Sequence, residues 1–419
     1  MTLDPELMSL FPATTSTAAD GSLAIGGVSL ASLADEFGTP VQVVDEVSLR
    51  MRSREFIDGL TRRRPRSSVA FASKSFPCTA IYRVMVEEGL HIDVAGAGEL
   101  VTALKADAPA ASIVLHGNAK TTAELALAVE SGVGTIVVDN WDDITRIEAL
   151  PGVQQPVLVR VIPGVDAPTM AAIATGHHGS KFGLPLDEAR RAISHMQASN
   201  RFDVRGIHLH IGSQILSVDA FAEAVTAVAG LGEFDVYDVG GGLGVRYQRS
   251  DKAPSVDEYL DTIADAASAH LPDHAELWIE PGRSLVAQAA VTLYRVTTVK
   301  HGDPTFVAVD GGIADNLEAS TYVGTHMDAT LAERPGGNDL VELVGRQCES
   351  GDLFASDLPL SEPRIGDVIA MPMTGAYSYT LLSNYNGALR PPIVFVRDGA
   401  TRLVVRRETY DELNARDVL

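Results

Sequence analysis

VAFASKSFPCTAIYRVMVEEGLHIDVAG, residues 69–96, sets two short apolar runs, VAFASK (69–74) and HIDVAG (91–96), on either side of a helix-forming stretch. Such runs read as buried parallel strands, because a strand covered on both faces has no polar face to present. The run recurs at SIVLHG (112–117), GTIVVDN (134–140), PVLVRVIP (156–163), RGIHLHIG (205–212), FDVYDVGG (234–241) and LWIEPG (277–282). Between the runs lie segments of helical spacing such as AGELVTALKAD, TTAELALAVESG and DEYLDTIADAASAHL. Eight strand–helix units close most simply as an α/β fold of the (β/α)8 TIM-barrel type, with an expected span of 46–290.

Beyond that span the pattern changes. VTLYRVTTV, TFVAVDGG, DLVELVGRQC, DVIAMPM, PPIVFVRDG and TRLVVRRE follow one another without helical segments, which predicts an antiparallel β domain over 291–419. Residues 1–45, with the hairpin signal GSLAIGGVSL, are expected to join it. In a chain of 419 residues a barrel plus a second domain is a natural division. The balance of 33 Lys and Arg against 55 Asp and Glu, a net charge of -22, argues against nucleic acid and anionic membrane surfaces as partners. MTLDPELMSLF lacks the basic and apolar regions of a signal peptide, so a cytoplasmic location is expected. Two cysteines, Cys78 and Cys348, make neither a disulfide framework nor a metal-ligand pattern, and no metal is expected.

Barrel active sites lie at the C-terminal ends of the strands. Lys74, Asp93, His116, Arg160, His210, Gly240 and Glu280 all fall at or near those ends. One such residue alone is ordinarily a polar cap, whereas seven converge on one mouth. A lysine there, Lys74, can form a Schiff base with an aldehyde cofactor. DVGGGLG (238–244) offers a phosphate cradle after the seventh strand. It is not a dinucleotide fingerprint, since Val245 stands where the third glycine or alanine belongs. Glu280, in EPGR, can keep a pyridine nitrogen protonated, although an ion pair with Arg283 is the plainer reading of that residue alone. Lysine, cradle and carboxylate together point to pyridoxal 5'-phosphate.

The ordered set FASKS, HIDVAGAGEL, HGNAKT, SKFG, HLHIGSQ, DVGGGLGVRY, EPGR, DGG, CESGD, TGAY and SNYN resembles the diaminopimelate decarboxylase family, pyridoxal-phosphate enzymes of fold type III, from about residue 40 to the end. The resemblance implies an alanine-racemase-like barrel with a C-terminal β domain, and a homodimer with active sites at the subunit interface. It implies Lys74 as the Schiff-base lysine, His210 stacked on the cofactor ring, and Ser213, Gly241, Gly242 and EPGR, including Gly282 and Arg283, around the phosphate. Asp93 and Tyr377 complete the cofactor site on this reading. Arg283, Glu318, Tyr322, Glu349 and Tyr377 surround the substrate, and Cys348 and Glu349 reach in from the partner chain, the thiol as an acid for the carbanion left by CO2 loss. His208 shares the face of His210 and is expected to support it, while Cys78 is expected to be structural.

One position departs from the family pattern. Where a family arginine grips a distal carboxylate, this chain has Glu318 within NLEASTY. Charge reversal at contact distance amounts to roughly 1–4 kcal/mol in a high effective dielectric, so the pocket is rebuilt or the substrate differs. The expected activity is therefore amino-acid decarboxylation by a carboxy-lyase, with diaminopimelate disfavoured. The alternatives are a racemase or epimerase on the same fold, a decarboxylase of another basic or modified amino acid, or an inactive regulatory homologue.

Overall fold

The computed structural model describes residues 4–152, 154–165, 179–319 and 326–418. Two compact units emerge. One comprises Arg52–Val245 and Lys252–Ser284, and the other the chain up to Met51, Arg246–Asp251 and the chain from Leu285 onward.

The first unit is a closed parallel barrel. Its strands are β1 (Ser67–Ala72), β2 (His91–Val94), β3 (Ile113–Leu115), β4 (Thr135–Val138), β5 (Gln155–Ile162), β6 (Phe202–His208), β7 (Val236–Asp238) and β8 (Glu276–Ile279). Each pairs in parallel with the next, and β8 pairs with β1 to close the ring. The two-residue strand Leu184–Pro185, not foreseen from sequence, adds to β5. Some of the helices between the strands start on side-chain caps: Thr121 and Glu124 form a capping box on Thr122–Ser131, and Ser255 and Glu258 another on Val256–His270. These caps satisfy amide groups that a helix start leaves unpaired.

Strands alternate faces every residue, so positions i and i+2 look the same way. Val114, Val137, Leu158, Val236 and Trp278 come from five strands, some of them not neighbours, yet form one buried cluster. Only the barrel interior can bring them together. Two residues further along each of those strands stand His116, Asp139, Arg160, Asp238 and Glu280, all buried. The interior thus passes from an apolar layer to an ionisable layer within one repeat.

In the second unit, the strand Ala290–Lys300 pairs antiparallel with Val41–Asp45, Thr305–Val309 and Val368–Met371. The sheet is mostly antiparallel, with two parallel pairings: Thr305–Val309 with Asp339–Val344, and Val41–Asp45 with Ile393–Arg397. The hairpin signal near the N-terminus forms Leu23–Ile25 and Val28–Ser29. Leu353–Leu360 is an additional strand pairing with Asp339–Val344.

Candidate active site

The strands of the barrel end slightly before the predicted runs do, but the ladder of backbone bonds carries on. The Leu209 N–H donates to Asp238 O at 2.8 Å, Val239 N–H to Trp278 O at 3.0 Å, Glu280 N–H to Gly240 O at 2.9 Å and Ala72 N–H to Pro281 O at 3.2 Å. These bonds fix the segments after β6, β7, β8 and β1 relative to one another. Lys74 leaves the strand altogether: it sits in the 3-10 turn Ser73–Ser75 with an exposed side chain, between buried Ser73 and Ser75. The glycines are demanded by this close stitching. Gly240 has φ +68, and a Cβ on Gly241 would stand 2.0 Å from the Glu280 carbonyl oxygen. Asp238 Oδ1 accepts the Gly240 N–H at 2.9 Å and so braces the turn.

Glu280 is the hub of the ionisable layer. Its Oε2 lies 3.1 Å from His208 Nε2 as a hydrogen bond, and its Oε1 lies 2.8 Å from His116 Nε2, at ion-pair distance without hydrogen-bond alignment. His116 Nε2 is in turn 3.6 Å from Asp93 Oδ1. The rings of His116 and His208 meet edge to face with centroids 4.9 Å apart. Burial works against a charge on Glu280, yet the two histidines overcome it and hold the carboxyl well below its usual range. Burial, reinforced by Glu280, pushes Asp93 up to about 7 and Asp238 well above the ordinary carboxylate range. Burial lowers His208 to about 4. For His116 the attraction of Asp93 and Glu280 exceeds the burial cost, and its pKa rises. Environment thus separates three neighbouring carboxyls: Glu280 stays an anion, Asp238 holds its proton, and Asp93 titrates near neutrality and is partly charged there.

His210 follows β6 and is half-buried, and its Nδ1 accepts the Gly241 N–H at 3.3 Å, which places the ring proton on Nε2. Burial and the nearby Lys74 and Arg160 charges push His210 well below its ordinary value. Arg160 is buried, with its guanidinium carbon 4.4 Å from the Phe182 ring centroid. Ser213 is half-buried, while Gly282 and Arg283 continue the segment after Glu280 and Arg283 is buried. The barrel therefore assembles Lys74, Asp93, His210, Gly241, Gly242 and Glu280 at one end. It also shows His208 beside Glu280, and Cys78 is buried with its thiol pushed up by burial.

The remaining residues belong to the β-rich unit. CESGD is a tight turn pinned by Asp352, whose Oδ2 accepts the Gln347 N–H at 2.7 Å and whose Oδ1 accepts the Ile313 N–H at 2.8 Å. Cys348 is exposed at the tip, its N–H donating to Asn386 Oδ1 at 2.8 Å, and Glu349 is half-buried. Tyr377 has φ +64, a left-handed conformation that non-glycine residues adopt at a cost and that concentrates at functional sites. Glu318 is buried in the turn Leu317–Ala319. Tyr322 lies outside the described residues.

From the sequence His116 is placed at the barrel mouth without a role, and Asp238 enters only as the first residue of DVGGGLG. Their signal was the i, i+2 spacing from Val114 and Val236, but spacing alone does not show which strands meet across the barrel.

Residues 49–287 match the family model for the pyridoxal-binding domain of pyridoxal-dependent decarboxylases. The chain is 43% identical over 411 residues to a diaminopimelate decarboxylase from Actinosynnema pretiosum, covering 95% of this chain and 93% of that one. It is 40% identical over 415 residues to the enzyme of that name from Bacillus subtilis, covering 94% of each. A crystal structure of diaminopimelate decarboxylase from M. jannaschii, in complex with L-lysine, superposes with a TM-score of 0.89 at 30% identity, covering 97% of this chain and 98% of that one. Barrel, lysine turn, glycine run and sequence kinship agree, and the chain belongs to the diaminopimelate decarboxylase family, carboxy-lyases that work with pyridoxal 5'-phosphate.

Proposed function

We propose that this protein removes the α-carboxylate of an amino acid whose side chain ends in a neutral or cationic group, and that diaminopimelate is a poor substrate. The observation that carries the substrate assignment is Glu318, which is buried rather than turned to solvent. An acidic side chain in the place of a family arginine repels a distal carboxylate and attracts an ammonium.

The barrel residues fit the cofactor. Glu280 Oε1 is a buried acceptor with no aligned donor among the described residues, which suits a protonated ring nitrogen. Lys74 would supply the anchoring amine and His210 would pack against the ring, with Asp93 beside the Glu280 cluster through His116. Ser213, Gly241, Gly242, Gly282 and Arg283 would hold the phosphate. When bound, pyridoxal phosphate draws electrons from the substrate's α-carbon as CO2 departs. The Glu280 carboxylate would accept a hydrogen bond from the ring nitrogen and so keep the proton on that nitrogen, and the Lys74 amine would be the group that anchors the cofactor between turnovers. Tyr377, Arg283 and Glu349 orient the substrate. The exposed thiol of Cys348 delivers a proton to the α-carbon of a substrate held in the partner's barrel, which makes the working unit a homodimer.

Steady-state CO2 release from diaminopimelate, lysine, ornithine and arginine tests the assignment. Wild type should prefer a substrate without a distal carboxylate, and Glu318→Arg should raise kcat/KM for diaminopimelate at least tenfold, the equivalent of about 1.4 kcal/mol of relieved repulsion. Efficient turnover of diaminopimelate by wild type, unchanged by the swap, would refute the substrate reading. Optical inversion without CO2 would identify a racemase.

A further inference from the structure

We infer that His116, held between Asp93 and Glu280, is a positioning residue that decides on which atom the proton shared by Glu280 and the cofactor's ring nitrogen resides. The inference rests on the assignment of Glu280 to that nitrogen.

The geometry is specific. His116 Nε2 stands 2.8 Å from Glu280 Oε1 and 3.6 Å from Asp93 Oδ1, with only 7% of the residue exposed. The same Oε1 has no aligned donor among the described residues. His208 takes the opposite oxygen, Oε2, at 3.1 Å. Glu280 is thus bracketed from β3 and from β6, and its Oε1 has unused acceptor capacity. Other groups acting on His116 are Arg160, which disfavours its charge, and His208, whose ring meets it edge to face. Asp238 adds to the carboxyl cluster around Glu280.

A proton shared by two bases rests on the more basic one. A buried carboxyl without counter-charge becomes strongly basic, and in this buried layer Glu280 would then capture the ring proton and leave a neutral pyridine, a weaker electron sink. A cationic His116 reverses that order. Asp93 and Glu280 favour its charge, and Glu280 is held well below its usual range in consequence. His208, lowered to about 4, contributes a neutral N–H donor and not a second charge. The two histidines divide the work: His208 fixes the orientation of the carboxylate, and His116 fixes its charge.

The test loads wild type, His116→Gln and Asp93→Asn with pyridoxal phosphate labelled with 15N in the ring and records solid-state 15N spectra of the full-length protein. Glutamine keeps the volume and a donor but carries no charge, so a role in packing alone leaves the spectrum unchanged. Wild type should give a pyridinium shift. His116→Gln should move it most of the way toward neutral pyridine, and Asp93→Asn, which weakens the charge on His116, should move it part of the way. In the same variants kcat should fall at least tenfold for His116→Gln with KM changed less than threefold. A pyridinium signal retained in both variants would overturn the inference. Failure of wild type to take up the labelled cofactor would instead refute the cofactor assignment beneath it, and should His116→Gln fail to fold, the Asp93→Asn spectrum decides.

Discussion

Lys120 Nζ lies 2.7 Å from Asp143 Oδ2, with 2% of one side chain and none of the other exposed. The ammonium also donates to the carbonyls of Gly117 at 2.5 Å and Val137 at 2.9 Å, tying the segment after β3 to β4 and to the helix Trp141–Ala149. Removing one member of a buried pair leaves an uncompensated charge, whereas removing both does not. Lys120→Met should therefore cost about 3–5 kcal/mol in urea unfolding, and Lys120→Met with Asp143→Leu should recover a substantial part of it. Equal losses in single and double variants would show that the lysine acts through its carbonyl contacts.

Lys74 sits in the turn that follows β1, within electrostatic reach of His210 and Asp93. Borohydride reduction followed by peptide mapping should place the reduced cofactor on Lys74, and Lys74→Ala should abolish the visible absorbance of the purified protein. A label on another lysine would move the anchoring role elsewhere.

The exposed Cys348 turn leads to a mixing experiment. Lys74→Ala and Cys348→Ala chains, each inactive alone, should regain roughly a quarter of wild-type activity when mixed and exchanged, since half the dimers are mixed and one of their two sites is native. Verified exchange without recovery would mean that each chain completes its own site.

Asp315 gives a pH prediction for the β-rich unit. Burial, joined by Asp352 and Asp310, pushes its carboxyl up to about 8, while its Oδ1 accepts the Gly312 N–H at 2.9 Å. A carboxyl whose pKa is raised on folding holds its proton more tightly in the folded state. Its contribution to stability is therefore intact below pH 4 and is progressively lost as pH rises toward about 8. Asp315→Asn keeps the acceptor and removes the titration. Urea unfolding of the variant should show a flatter profile over this range, with the variant the more stable protein at pH 8 and the two alike near pH 4. Parallel profiles would exclude Asp315 as the titrating group.

The barrel was legible because its strands are continuous apolar runs at regular spacing, a signal that survives without knowledge of tertiary contacts. Leu353–Leu360 escaped because Ser356, Asp357 and Pro359 interrupt its pattern, and the structure shows why such residues are tolerated: Asp357 has φ +52 and the pairing shifts register there. The site was legible where chemistry is unusual for its position, as with Lys74 and Glu280. It was illegible where function depends on what faces a residue across the barrel. His116 looked like a strand cap, and Arg283 looked like the natural partner of Glu280, whereas Glu280 is bracketed by His116 and His208.

The strand Val41–Asp45 is flanked by Ala290–Lys300 on one side and Ile393–Arg397 on the other. During synthesis at roughly 5–20 residues per second, this early segment waits on the order of tens of seconds for its neighbours, while the whole barrel is made in between. The barrel is thus an insertion that must mature inside an unfinished sheet, and the apolar strand VQVVD is left without neighbours in the growing chain. Stalled ribosome complexes should show this segment open to protease when the chain ends near residue 287, and protected only once residue 397 has cleared the exit tunnel.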